Sequence, residues 1–400
     1  MSTRLGFFVL TLCIFFTGNA QEKYMMKGYV KGMTAMQTIG ENGEMAIENT
    51  IYNRFDVNWY MSSKFTFTVG MRNRIIAGNN VSLIPNYSDF VSRDPGYFDL
   101  SWVWADNESW IGLTQLDRLM VDFTSGNFQI TLGRQRINWG QTFVWNPNDL
   151  FNTYSYFDFD YEEKPGSDAL RLQYYLGMSS KIELSTSLNS DNKVTSVALY
   201  RFNTSGYDIQ FLGGVYTESD YVLGGGFSGS IAGGGFSGEM TYFHPIDDSG
   251  NSEDSENNES SEEEGGKVTA TIHYDYTFKS SLNLQFEALY NGFGAKDLQS
   301  GIGDLLFQDL SPKNLFPTQF AMFGSGAYDV SPLFRVMLAA MYGPEGNFWY
   351  VGPTLNYSIS NTMELAGIGQ YFSSDEVEDP DGVPLVNSGT AIFIRFKWSF

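Results

Sequence analysis

The chain has 400 residues, a formal net charge of −22, one cysteine and two histidines. Such an acidic chain is a poor partner for nucleic acid, and its inventory leaves almost no residues for cysteine-based metal sites or histidine catalysis, so we expect no cofactor. Aromatic residues make up 16% of the chain and charged residues only 18%. That balance favours a membrane β-barrel over a soluble domain, and it leaves a secreted β-sandwich or β-helix as the alternative.

The amino terminus has the pattern of an export signal. Arg4 precedes an apolar run, and the small residues Gly18 and Ala20 stand at the −3 and −1 positions of a cleavage site. The run is too short to cross the membrane as a helix, and no later segment reaches the roughly 20 apolar residues that a membrane helix needs. We therefore predict a signal peptide over residues 1–20 and a single outer-membrane barrel over residues 21–400, which enters the membrane as strands.

Most of the remaining chain alternates apolar and polar residues, which is the period of a strand with one apolar face. Every second residue from Val268 to Phe278, for example, is apolar or aromatic. We count about 18 such strands, with 16 as the alternative, each near the length that a tilted membrane strand requires. Short turns alternate with long connections near 77–108, 140–166, 245–266, 292–318 and 374–387. The pattern predicts an all-β fold, a single transmembrane antiparallel up-and-down β-barrel with long extracellular loops and short periplasmic turns.

Two of these strands break the alternation. The apolar parity changes near Leu116 in the strand from Trp110 to Phe123, and Pro353 lies within a strand although it cannot donate to a β-ladder. Both irregularities predict β-bulges.

The polar positions of several strands carry basic residues. Placing Arg or Lys on the lipid side would cost roughly 2–4 kcal/mol each at the bilayer midplane, so we expect these side chains to line the lumen. Arg134 and Arg136 share the parity of Leu132 and need a bulge near Gly133 to join them. The predicted pore-lining basic residues are Arg54, Arg72, Arg74, Arg134, Arg136, Arg171, Arg395 and Lys397, with Lys27 and Lys31 continuing the same face. An arginine-lined lumen attracts anions, whereas the alternative is a wet interior neutralised by inward carboxylates.

The connection at residues 138–168 combines an aromatic cluster with a run of acids. Asn146 followed by Pro147 predicts the start of a short helix. Folded into the lumen, this segment would narrow the pore and place acids and aromatics opposite the basic wall. The residues expected to form the constriction are Trp145, Asn146, Asp149, Asp158, Asp160 and Glu162. An exterior surface that docks another protein is the alternative for the aromatic residues.

The runs Gly133–Gly140 and Trp145–Asn152 resemble a segment of porin-like outer-membrane β-barrels of Bacteroidota, and they are more distantly similar to alginate-export-type porins. In the alginate-export type an arginine-lined lumen conducts an anionic polysaccharide. The resemblance therefore implies a channel in the outer membrane of a Gram-negative cell, without identifying a substrate. The connection at 245–266 has no counterpart in this resemblance.

The acidic excess is concentrated in two connections, residues 247–264 and 375–381. Runs of like charge cannot bury themselves and are expected to remain solvated at the cell surface. Clustered carboxylates also suit hard divalent cations, so a weak metal site at Asp247, Asp248, Glu253 and Asp254 is the minor alternative. The ordered spacing of a calcium-binding loop is missing, and we predict no resident metal.

The last strand, Ser388 to Phe400, has the clearest membrane signature. Every second residue from Ile392 to Phe400 is apolar, Arg395 and Lys397 fall between them, and the chain ends on an aromatic residue. Terminal strands of outer-membrane barrels typically end in this way. We predict export to the outer membrane and contact with its lipid.

Three hypotheses about function follow. The first is a porin-like channel for passive diffusion of small polar solutes, anions included, through an arginine-lined lumen. The alternative is a structural or docking barrel subunit of an outer-membrane complex with surface lipoproteins, bound through the extracellular loops. An enzyme is not predicted, because His273 and Asp275 are neighbours on one strand face and do not make a catalytic triad.

Overall fold

The structure, a computed structural model, describes residues 23–39, 44–246, 265–296, 310–377, 385 and 387–400. The predicted signal peptide and the candidate metal ligands Asp247, Asp248, Glu253 and Asp254 lie outside these residues. The described chain is almost entirely β-structure, with two short helices in one connection. Neither helix has the length and apolar character of a membrane span.

The elements alternate along the chain as strand, connection, strand. The strands are β1 (Tyr24–Ile39), β2 (Glu44–Tyr60), β3 (Phe65–Gly78), β4 (Ser101–Asn107), β5 (Trp110–Ser125), β6 (Phe128–Gln135), β7 (Ser167–Tyr175), β8 (Lys181–Leu188), β9 (Val194–Thr204), β10 (Tyr207–Tyr216), β11 (Asp220–Ile231), β12 (Gly234–Pro245), β13 (Lys267–Thr277), β14 (Asn283–Asn291), β15 (Phe320–Ser331), β16 (Phe334–Gly343), β17 (Phe348–Ser360), β18 (Met363–Ser373) and β19 (Ser388–Ser399). The helices α1 (Asn80–Leu83) and α2 (Tyr87–Ser92) lie between β3 and β4.

Eighteen of these strands close into one ring, and β4 is a further short strand of the wall that pairs with β5 alone among the described strands. Each ring strand pairs antiparallel with its neighbour in the chain, and β3 pairs directly with β5. The ring closes because β1 pairs with both β2 and β19, and Phe400 exchanges two backbone hydrogen bonds with Gly28. Closure pairs the edges of the first and last strands, as a membrane-spanning sheet requires. The predicted all-β, up-and-down barrel of about 18 strands is confirmed.

The two faces of the wall differ as the alternation predicts. On β19, Ile392, Ile394, Phe396 and Trp398 are exposed on the outer face, which is the apolar band that lipid favours. Long connections, among them 136–166, follow β3, β6, β12, β14 and β18 and share one rim of the barrel. Short turns such as 126–127 share the other rim. We call these the long-loop rim and the short-turn rim.

One part of the wall is built from two strands placed end to end. On one edge of β5, residues 119–125 pair with β6 and residues 110–115 pair with β4. The other edge of β5 is paired with β3 over residues 110–123. β4 therefore takes the place that a longer β6 would occupy. Because β6 ends at Gln135, partway up the wall, the chain leaves the wall at that point.

The two predicted irregularities have different outcomes. Between β3 and β5 the register shifts at Asp117, as the parity change near Leu116 predicts. No shift occurs at Pro353, because the pairs of β17 with β18 on either side of it keep one register. The proline only interrupts the ladder, and Gly369 on β18 leaves room for its ring. The predicted bulge at Pro353 is therefore wrong.

Candidate functional site

The long connection between β6 and β7 folds into the barrel. We call residues 136–166 the inner loop, residues 137–152 its first arm and residues 153–166 its second arm. The first arm runs along β8 to β14 and returns, so that Asn152 Oδ1 accepts the Ile137 N–H at 2.7 Å. The second arm crosses to β15, β17 and β18, where its aromatic rings pack. It then follows β19, β1 and β2 and ends at β5. Together the arms line the inner wall, which narrows the lumen.

The first arm is anchored by apolar packing and by wall residues that bond to its main chain. Ile137, Trp139 and Leu150 are buried against inward residues of β9 to β12. The Trp139 Nε1–H donates to Glu183 Oε1 at 2.7 Å, and its carbonyl accepts from Gln210 at 2.7 Å. Polar residues of the wall thus hold this arm in one position.

Two buried carboxylates on the wall hold the middle of the first arm. Glu239 accepts the Gln141 N–H at 2.8 Å. Glu287 accepts three successive N–H groups, those of residues 143, 144 and 145, at 2.7–3.1 Å. His273 Nδ1 also lies 3.1 Å from Glu287. Successive N–H groups directed at one carboxylate form an anion nest, here with the anion supplied by the barrel itself.

Aromatic contacts hold the second arm where it meets the far wall. Tyr156 and Phe157 pack edge-to-face on Phe323, Tyr350 and Phe372, with ring centroids 5.1–6.2 Å apart. Edge-to-face geometry matches the quadrupoles of the rings and adds to the burial. The aromatic cluster of the connection therefore faces the interior of the barrel.

The end of the second arm carries acids, and these meet the basic wall. Asp160 lies 2.6 Å from Lys31, and Glu162 lies 2.6 Å from Lys397. Tyr161 stacks beneath the Arg72 guanidinium, whose carbon lies 3.7 Å from the ring centroid. Two of the acids predicted to oppose the basic wall, Asp160 and Glu162, are thus in direct contact with it.

The lumen retains two cavities along this wall. One, of about 540 Å³, lies toward the short-turn rim and is lined by Arg118, Arg136 and Arg171 together with Thr and Asn side chains. The other, of about 250 Å³, lies between the second arm and the wall and is lined by Arg72 and Arg74, by Asp158 and Asp160 of the arm, and by several aromatic rings. Both cavities are lined by guanidinium groups and polar atoms, which a charged or polar solute requires.

Four of the predicted pore-lining cations that do face the lumen have carboxylate partners. Arg54 binds Asp56 and Asp117, Arg171 binds Glu183, Arg395 binds Glu364, and Lys397 binds Glu162, at 2.6–2.8 Å. By contrast, the described residues place no carboxylate oxygen within 4.0 Å of Arg72, Arg74 or Arg136. Arg72 and Arg74 share Gln115 Oε1, at 2.9 and 2.8 Å. Among the predicted pore-lining cations, the positive charge without a carboxylate partner is therefore at these three groups.

Arg134 does not join this wall. The ladders of β6 run through Gly133 without a register shift, so Arg134 keeps the parity of Leu132, which is 60% exposed on the outer face. Its guanidinium binds Asp94 and Asp168 and ties the segment before β4 to β6 and β7. The expected bulge is missing, and Gly133 stays in register with both neighbouring strands at a φ of +115°. Arg136 reaches the lumen only because it follows the end of β6.

The candidate constriction residues divide into three groups. Trp145, Asn146 and Asp149 are buried in the first arm, where Asp149 N donates to Asn146 O in a single turn, so the predicted short helix is not formed. Burial raises the pKa of Asp149 to about 8. Asp160 and Glu162 bind wall lysines, while Asp158 is exposed. The acids that border the passage are therefore Asp158, Asp160 and Glu162.

The sequence interpretation missed several participants. Arg118 lines the larger cavity, and its neighbour Asp117 binds Arg54; both lie at the bulge, where alternation gives no reliable face. The parity change itself was the signal that could have identified them. Glu239 carried no such signal, because its role depends on where the inner loop passes.

Comparisons with known proteins agree with this architecture. No protein-family model matches the sequence, and no curated protein matches it either. Solved structures do match. The chain is similar to OccAB1 of Acinetobacter baumannii, with 10% identity over 95% of this chain and 97% of that chain and a TM-score of 0.56. It is also similar to OccAB2 of the same organism, at 9% identity over 94% and 98% with a TM-score of 0.56. For OccK5 (OpdH) of Pseudomonas aeruginosa the identity is 8% over 94% and 98%, with a TM-score of 0.53. At these identities the likeness shows the barrel fold alone.

Proposed function

We propose that this chain is a porin-like channel of the outer membrane, through which small polar solutes diffuse passively. The proposal is supported by the closed 18-strand barrel and by its structural neighbours, which are outer-membrane porins of the Occ/OprD family. A barrel of this kind crosses the membrane with lipid outside and a polar lumen inside. Contact with outer-membrane lipid and passage of small solutes follow from the same architecture.

The passage follows the basic wall and favours anions. The observation that carries this step is the pair Arg72 and Arg74, which line the 250 Å³ cavity without a carboxylate within 4.0 Å among the described residues. Arg118 and Arg136 continue the basic lining into the larger cavity. Guanidinium groups offer paired donors that suit carboxylates and phosphates. The rest of the inner wall is covered by the two arms of the inner loop.

Recordings from the purified protein in planar bilayers test both parts of the proposal. We expect stable conductance, and in a salt gradient a reversal potential on the anion-selective side. Arg72→Gln together with Arg74→Gln should reduce anion selectivity. Arg335→Gln is the matched control, since Arg335 is half-exposed at the short-turn rim and pairs with Asp329. Missing conductance refutes the channel, and cation selectivity refutes the anion preference.

Two finer expectations belong to the proposal. The resemblance of residues 133–152 to porin-like barrels of Bacteroidota, and more distantly to alginate-export-type porins, supports an origin in that group of bacteria. The predicted signal peptide over residues 1–20 supports export. The docking alternative loses one of its supports, because the aromatic segment lies inside the barrel. Protein partners at the extracellular loops stay a prediction, for which mild-detergent purification is the measurement.

A further inference from the structure

The second arm of the inner loop places three carboxylates on three cations of the wall. The pairs are Asp160 with Lys31 at 2.6 Å, Glu162 with Lys397 at 2.6 Å, and Glu163 with Arg54 at 3.4 Å. The three cations belong to β1, β19 and β2, which are neighbours at the seam of the barrel. The arm therefore presents a short polyanion to one continuous patch of wall.

The two arms are held in different ways. The first arm is fixed by an apolar core and by carboxylates that accept its main-chain N–H groups. The acidic end of the second arm is fixed mainly by wall cations, through these ion pairs and through Lys31 and Arg118, which donate to main-chain carbonyls of residues 160, 163 and 164. Phe159 also packs on Phe393, and the three carboxylate side chains remain 12–36% exposed. Glu162 is the most accessible of them. Anions in the lumen can compete for the wall cations that hold the second arm. They cannot compete with the apolar core and the main-chain hydrogen bonds that hold the first arm.

The structure already contains a cavity from which a solute could compete with these ion pairs. Asp160 borders the 250 Å³ cavity, on the side of Arg72 and Arg74. Lys31 Nζ lies 4.2 Å from the ring centroid of Tyr52, which lines the same cavity. A solute in this cavity thus meets two guanidinium groups without carboxylate partners and lies next to the Asp160 ion pair.

We infer that Lys31 and Lys397, which are paired across the seam, form with the neighbouring Arg72 and Arg74 a binding site for solutes with two or more anionic groups, and that the acids of the second arm occupy this site until such a solute displaces them. The inference rests on the proposed anion channel. A monovalent anion replaces one carboxylate at a time while the remaining contacts hold the arm in place, so it competes poorly with several tethered carboxylates. A multivalent carboxylate or phosphate binds several of the cations at once and competes on equal terms.

Hydrogen exchange of the backbone at residues 153–164, measured by mass spectrometry on the purified full-length barrel, tests the inference independently of conductance. We compare sodium citrate and sodium phosphate with sodium chloride at equal ionic strength. Citrate or phosphate should accelerate exchange of the second arm, while exchange of residues 141–147 in the first arm stays constant. If only one of the two acts, that result supports the site and identifies the anionic group it prefers.

A set of variants separates displacement from a general charge effect. Asp160→Asn, Glu162→Gln and Glu163→Gln combined should raise exchange of the second arm about tenfold without any added anion, which corresponds to ~1.4 kcal/mol. Asp329→Asn is the control, because it removes one carboxylate from an exposed ion pair with Arg335 at the short-turn rim, away from the second arm. An equal response in the control overturns the inference.

The remaining outcomes distinguish this inference from the proposed function. Identical exchange in citrate, phosphate and chloride overturns the solute site even if the barrel conducts. Exchange that responds to citrate in a barrel without conductance supports the site and refutes the channel.

Discussion

Glu287→Ala tests whether one wall carboxylate positions the first arm of the inner loop. In the structure, Glu287 accepts the N–H groups of Phe143, Val144 and Trp145 at 2.7–3.1 Å, and it is fully buried. Alanine removes the acceptor and adds nothing in its place. The three N–H groups must then lose their partner or move to water.

The size of the effect follows from counting those groups. A buried N–H without an acceptor costs roughly 1–3 kcal/mol, so three of them would cost roughly 3–9 kcal/mol if the arm stayed in place. The arm avoids this cost by leaving the wall, which sacrifices the packing of Trp145 on Phe316. Glu287→Gln keeps one acceptor oxygen, and we expect an intermediate effect.

Hydrogen exchange over residues 141–147 is the assay. In Glu287→Ala we expect exchange of residues 143–145 to approach that of a solvated loop, while the strands remain protected, because the barrel ladder does not depend on this side chain. Glu364→Ala is the control, since Glu364 is 41% exposed on the inner face of β18 and its charged partner among the described residues is Arg395. Unchanged exchange in Glu287→Ala would refute the positioning role.

Three further predictions concern other contacts of the site. Arg134→Gln leaves two buried carboxylates without their cation and should destabilise the segment before β4 by roughly 3–5 kcal/mol, measured by its susceptibility to proteolysis against the parent protein. Burial holds the pKa of Asp149 at about 8, above the ~3.9 of an unfolded chain, so stability should fall as pH rises from about 4 to about 8. Asp149→Asn should remove that part of the slope in thermal unfolding, and an identical slope contradicts the assignment. Trp139→Phe removes the indole donor to Glu183 and should loosen the first arm by about 1–3 kcal/mol, seen as faster exchange at residues 137–141 with the strands unaffected.

The location of the basic wall illustrates how far the sequence interpretation extends. Arg54, Arg72 and Arg74 face the interior because a strand places alternate residues on alternate faces, and lipid excludes charge from one of them. The same argument failed for Arg134. A parity argument identifies a face but not what covers it, and the segment that supplies Asp94 is about forty residues away in the chain.

The alternation of residues along each strand was enough to predict the barrel, its strand number and the two rims, because a period of two is a local property and the lipid penalty acts on every residue separately. The path of the inner loop is not local. It depends on β6 ending at Gln135, on β4 filling the wall above it, and on carboxylates such as Glu239 and Glu287 from distant strands that accept its N–H groups. Only the closed barrel brings these groups together, and for that reason the tertiary structure alone decides where the passage lies.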